Sequence, residues 1–238
     1  MTSRFSRIAL LILAMSFTFS VCAQEPLNRN WDAGKIKGVR NLPNPAYTGF
    51  PFLNDTWDLG KIQYTNGEIA DSLYLRYSSF KDEVVYYDKP IATQIVIDKI
   101  SLKGFSYTDK YGRNRVFWKL YYDGYMKGDR FFEVLSEGQT NLLAFRRVSL
   151  TGSSGYKDEG GFLKNLVYSN DYQFYFYSPE KGFTSVRINQ AGLLAKFKKE
   201  MQMPIKRLLR KNKIRINGEE RFIQAWKVVE KEGYKVIF

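Results

Sequence analysis

The sequence predicts an α+β protein: a strongly curved antiparallel sheet, or a partly open β-barrel or sandwich, followed by three short C-terminal helices. From Phe50 to Asn189 the chain falls into short runs rich in aromatic and β-branched residues, set apart by Gly, Asn and Asp turn signals. After Asn189 the apolar positions recur at three and four residues instead of two. The 17 Tyr and 18 Phe suit pleated, half-buried surfaces. Strands first and helices last is the α+β order.

Residues 1–23 read as a signal peptide. Arg4 and Arg7 precede an apolar run, Ile8 to Phe19, broken only by Ser16 and Thr18. The run is about half the ~20 residues that cross a bilayer, and positive-then-apolar is the order of an export address. Two cleavage sites compete. A lipoprotein site would retain Cys22, but Val21 before it and Phe19 upstream fit that pattern poorly. Ordinary signal peptidase finds Val21 and Ala23 and releases a chain starting at Gln24, which the sequence favours. The expected mature chain has 215 residues and no cysteine, so no disulfide, thiol nucleophile or thiolate metal site. Such an exported chain suits a bacterial periplasm or outer-membrane surface. Residues 24–47, with Pro26, Pro43 and Pro45, read as an extended N-terminal arm tied down by Trp31.

Residues 48–189 read as an antiparallel β domain. "LGKIQYT", Asn66-Gly67 and "EIADSLYLRYS" form a hairpin signal, with both turn residues able to take left-handed conformations. Leu73, Leu75 and Tyr77 alternate with Tyr74 and Arg76. "DEVVYYDKP" follows as a strand ending at Pro90. "TQIVIDKISLKGFSYT" reads as a single further strand. After the turn "DKYGRNR", residues 116–150 give three strands with turns at Lys127 to Asp129 and Glu137 to Gln139. "TGSSGYKDEGG", Thr151 to Gly161, reads as a surface insertion. A last hairpin turns at Ser178 to Gly182, one side of its first strand meeting the core and the other a helix.

Residues 190–238 read as a basic helical region packed on the sheet. Asn189 caps a helix through Leu193, Leu194, Phe197 and Met201. Pro204 opens a second helix in its first turn, with Ile205, Leu208 and Leu209 on one side. Asn217 and Glu220 have capping-box spacing before a third, whose apolar side is Phe222, Trp226 and Val229, edged by Ile223 and Val228.

Charge and composition narrow the chemistry. Histidine is absent, which excludes serine–histidine and cysteine–histidine catalysis and removes the commonest metal ligand. No metal or cofactor is expected. The acidic pairs Asp82–Glu83, Glu133–Glu137 and Asp158–Glu159 carry no catalytic assignment: neighbours on a strand diverge, the second pair is expected at a solvated edge, and the third sits in the glycine-rich loop. The formal charge is +13, and losing Arg4 and Arg7 leaves +11. Nine basic residues and one acid lie between Lys196 and Arg215. That block suits an anionic partner. Export argues against nucleic acid and leaves anionic lipid, lipopolysaccharide, cell-wall polymer or an acidic protein face. The expected partner-binding residues are Lys206, Arg207, Arg210, Lys211 and Lys213, with the aromatics Tyr121, Tyr122 and Tyr125. They are expected to form one continuous surface without a deep polar cleft.

Three stretches carry a resemblance: Gly49 to Tyr86, with "GFPFLNDTWDLG" and "LYLRYS"; "FFEVLSEGQTNLL" from Phe131 to Leu143; and "LLAKFKKEMQMPIKRLLRKNKIRINGEERFIQAW" from Leu193 to Trp226. In these the chain resembles a group of exported Bacteroidota proteins of unknown function. The resemblance implies a periplasmic location at the inner face of the outer membrane and supplies no catalytic residues. By analogy with accessory subunits of outer-membrane machines, including the secretion apparatus linked to gliding, it implies an envelope protein or outer-membrane complex as partner. The function expected is a non-enzymatic binding or scaffold protein. The alternatives are a carboxylate-dependent hydrolase of glycan or cell-wall material and a carrier of an apolar ligand held in a cavity lined by Phe and Tyr.

Overall fold

Alternating apolar side chains build a single large sheet. The computed structural model describes residues 36–42, 48–152 and 166–238. The expected signal peptide with Cys22, Trp31, most of the arm, and the pair Asp158–Glu159 lie outside the described residues. The strands are β1 (Gly38–Arg40), β2 (Asp58–Tyr64), β3 (Ile69–Ser78), β4 (Glu83–Asp88), β5 (Thr93–Ile97), β6 (Leu102–Thr108), β7 (Asn114–Tyr122), β8 (Gly128–Ser136), β9 (Asn141–Gly152), β10 (Leu166–Ser178) and β11 (Gly182–Val186). They form one open sheet in the order β1-β5-β4-β3-β2-β6-β7-β8-β9-β10-β11, every neighbouring pair antiparallel. The curved antiparallel sheet with three helices behind it is the architecture the sequence predicts.

The turns account for the details. At the β2–β3 turn only Gly67 is left-handed, with φ +91°. Asn66 instead accepts the Glu68 N–H at its side-chain oxygen, so the pair does not form the expected two left-handed residues. "TQIVIDKISLKGFSYT" is two strands, not one. The Asp98 carboxylate accepts the Ile100 N–H and its carbonyl accepts the Ser101 hydroxyl, which closes a turn where alternation predicted continuation. The chain then leaves one side of the β2–β5 meander and returns as β6 on the other. Part of the arm also becomes structure: β1 adds to the edge of β5, pairing Gly38 with Ile97 and Arg40 with Ile95. The β7–β8 turn lies at 123–127, just before the expected position, and β8 starts at Gly128.

The sheet curls because its Phe117 face must be buried. Tyr77 on β3 lies 5.4, 5.1 and 6.2 Å from the rings of Phe105, Phe117 and Phe131, which come from β6, β7 and β8. Phe105 and Phe117 stack at 4.4 Å with their planes 4° apart. A fork completes the curl. β8 and β9 pair only around Glu133–Ala144 and the bulge beyond it, after which β9 continues with β10 alone. The β3–β4 turn enters the gap. Ser79 O accepts the Val148 N–H at 3.1 Å, and the Asp82 carboxylate accepts that of Phe131 at 3.3 Å.

The helices cover the same face further along. They are α1 (Gln190–Leu194), α2 (Lys199–Lys211) and α3 (Glu219–Lys231). Phe222, Ala225, Trp226 and Val229 of α3 are buried, and Trp226 meets Phe176 of β10 at 4.4 Å. Asn189 caps α1 through the Gly192 N–H at 2.7 Å, as expected. Other helix ends differ from expectation. The first helix stops before Phe197, whose ring is buried near Tyr234, so Met201 belongs to α2 and is exposed. Pro204 therefore lies inside α2 rather than in its opening turn. Gly218, not Asn217, is the N-cap of α3. On the opposite sheet face, here the Trp118 face, Phe132, Phe145, Tyr175 and Phe183 form a separate aromatic cluster.

Candidate functional site

The cationic helix comes from a simple amphipathic pattern. Ile205 and Leu209 bury one side of α2, which leaves Arg207, Arg210 and Lys211 exposed on the other with Lys206 half-buried at its flank. Lys213 follows the helix, exposed, with φ +54°. Arg210 and Lys211 stand in the last turn, where a helix C-terminus favours positive charge. None of these five residues forms an ion pair among the described residues.

The three tyrosines do not share one face. Tyr122 points to the Trp118 face, opposite the helices, where its ring meets Phe132 and Phe183 and its hydroxyl lies 3.1 Å from that of Tyr175. Tyr121, its strand neighbour, projects to the other side and is exposed, and Tyr125 at the turn is 93% exposed. The β7–β8 hairpin packs through Tyr122 and Met126 on the Trp118 face. Of the three tyrosines, Tyr122 alone is turned to the sheet face opposite the helices, and Tyr121 and Tyr125 are the exposed ones.

A polar cleft, also outside the expectation, opens beside the β6–β7 turn. It measures about 550 Å³ and lies between Phe50, Asp55, Tyr111, Arg113, Arg115 and Tyr172. The turn is fixed by Asp109, whose carboxylate accepts the N–H groups of Tyr111 and Arg113 at 2.9 and 3.0 Å. Gly112 takes φ +76° there, a conformation that suits glycine. From this turn a chain of alternating charges runs under the sheet. Arg113 meets Asp109 at 2.8 Å, and Arg115 lies 3.7 Å from Asp109 and 3.1 Å from Glu133. Arg146 donates to Glu133 and makes two parallel bonds to Glu219 at the start of α3. Its guanidinium also lies over the rings of Tyr172 and Phe174, at 4.9 and 5.6 Å.

The electrostatics follow from these partners. Arg146 is 2% exposed. Burial opposes its charge, but the Glu219 and Glu133 carboxylates outweigh it and raise its pKa. Burial likewise pushes Asp109 up, while the N–H groups of Arg113 and Tyr111 and the Arg113 guanidinium hold it below the ordinary carboxylate value. Asp55 is lowered by its bond to Lys110, 3.1 Å away. Both acids of the cleft are therefore ionised at neutral pH and held by cations.

The acidic pairs separate as well. Asp82 is buried by Tyr77, Lys99 and the Phe131 N–H, and burial raises its pKa. Burial also raises Glu83. Glu133 is buried between Arg115 and Arg146 instead of lying at a solvated edge, and Leu135 falls at a bulge that breaks its shared parity with exposed Glu137. The ion-paired chain had a sequence signal. Arg146 occupies the same side of β9 as Leu142 and Ala144, and Glu133 the same side of β8 as Phe131. A charge at a buried parity needs a partner. No family model, curated protein or solved structure matches this chain.

Proposed function

We propose that the protein is a non-enzymatic binding or scaffold protein of the bacterial envelope, an accessory subunit of an outer-membrane-associated assembly. It works in the periplasm at the inner face of the outer membrane and meets an acidic protein partner through α2. One contrast carries the reading. Arg115, Arg146 and Arg147 of the sheet each have a carboxylate partner, and the sheet's unpaired cations, such as Lys61 and Lys103, stand on separate strands. Arg207, Arg210, Lys211 and Lys213 instead follow one another along one short stretch with no such partner among the described residues. An unpaired cationic stripe gives orientation and association rate to an encounter with an acidic face. The apolar side of α2 is used in packing, so the helix meets a partner with charge and does not insert into lipid.

The competing readings find less support. A carboxylate hydrolase needs an acid with raised pKa in a concave site, and the cleft acids Asp55 and Asp109 are both held low. A carrier needs interior space, and the stacked rings of Tyr77, Phe105, Phe117 and Phe131 occupy the curl. The test is co-purification from native envelope with wild type and with Arg207→Gln/Arg210→Gln/Lys211→Gln. A partner retained at low salt should be released by high salt and lost by the triple variant. Retention indifferent to both ends the proposal.

A further inference from the structure

The cleft between Phe50, Tyr111 and Tyr172 is a separate feature whose chemistry goes beyond a cationic docking helix. We infer that it binds a neutral sugar chain. Its charges cancel locally: Lys110 pairs with Asp55, Arg113 with Asp109, and Arg115 with Glu133 and Asp109. An incoming anion would have to compete with a carboxylate already seated on each cation. A hydroxyl does not. It can donate to the exposed, ionised Asp55 and accept from Lys110 or Arg113, and the pairing holds these groups in place beforehand.

The aromatic component is placed to match. Tyr111 is 72% exposed, yet the turn presenting it is pinned by three bonds to Asp109: the N–H groups of Tyr111 and Arg113 on the carboxylate, and that of Gly112 on the carbonyl at 2.8 Å. Lys110 and Arg113 lie 5.5 and 5.2 Å from the centre of its ring. Phe50, which also lines the cleft, is exposed and is steadied by Phe52 at 5.5 Å and by the Arg76 guanidinium. Rigid exposed rings beside fixed donors and acceptors are what the two sides of a sugar require: C–H groups against a ring face, hydroxyls against polar groups. A volume of about 550 Å³ falls within the range of ligand sites and takes a short stretch of such a chain.

The test is an array of neutral and uronic-acid oligosaccharides probed with the full chain, followed by calorimetric titration of any glycan retained. A neutral glycan should bind with affinity unchanged between low and high salt. Tyr111→Ala should weaken it about tenfold, and Tyr125→Ala, an exposed tyrosine elsewhere, should not. Circular dichroism checks that both variants are folded. Absence of binding to any glycan, binding confined to acidic glycans with strong salt dependence, or binding indifferent to Tyr111→Ala each overturns the inference. The triple α2 variant should bind the glycan like wild type, which keeps the two surfaces distinguishable.

Discussion

At the scale of the residue, Asp109 shows how one carboxylate can organise a surface. It holds two backbone N–H groups and an arginine, and removing its charge should loosen all three. Its folded pKa lies below its unfolded value, so the stability it contributes is fully present above about pH 4 and is lost as pH falls through the folded value. Asp109→Asn should therefore cost about 1–3 kcal/mol at pH 7, and the gap to wild type should close in acid. Urea unfolding of both proteins at pH 7 and at pH 3 reads this directly. A gap of equal size at both values would mean that the contribution is steric. Asp82 has the opposite sign: burial raises its pKa, so its ionised form weakens the fold as pH rises through the folded value. Comparing variant with wild type isolates Asp109 from that opposing effect.

At the scale of the element, α3 depends on a small number of large contacts. Trp226 is buried against Phe176, and no other aromatic of α3 lies as close to the sheet. Trp226→Ala should cost about 3–5 kcal/mol. Hydrogen exchange should show α3 and α2 losing protection while β2, β3 and β6 keep theirs; uniform loss would refute a locally docked helix layer. The faces of these helices were legible in the sequence because Phe222, Trp226 and Val229 repeat at helical spacing. Leu73, Leu75 and Tyr77 revealed β3 in the same way. The division into β5 and β6 was not legible, because it rests on Asp98 accepting the Ile100 N–H and the Ser101 hydroxyl, which alternation does not encode. Nor was the cleft: Phe50, Tyr111 and Tyr172 come from distant parts of the chain, and only the folded topology brings them together.

At the scale of the whole molecule, Arg146 on β9 ties two further elements together by charge, since its partners belong to β8 and α3. Arg146→Met should cost about 3–5 kcal/mol, because Glu133 stays buried with Arg115 alone. Arg146→Met/Glu133→Leu should recover much of that loss. Thermal unfolding of the two variants decides, and a double variant weaker than the single one would show that the ionic link itself sustains the fold. The fork between β8 and β9 has a consequence of another kind. Ser79 and Asp82 occupy it, and Asp82 reaches Phe131 across 49 positions of chain. During synthesis the early strands must wait for β8 and β9 to emerge before that gap can be sealed. Sealing the interior thus requires the meeting of two distant segments, and a nascent chain halted before β9 should leave its aromatic interior open to chaperones or proteases.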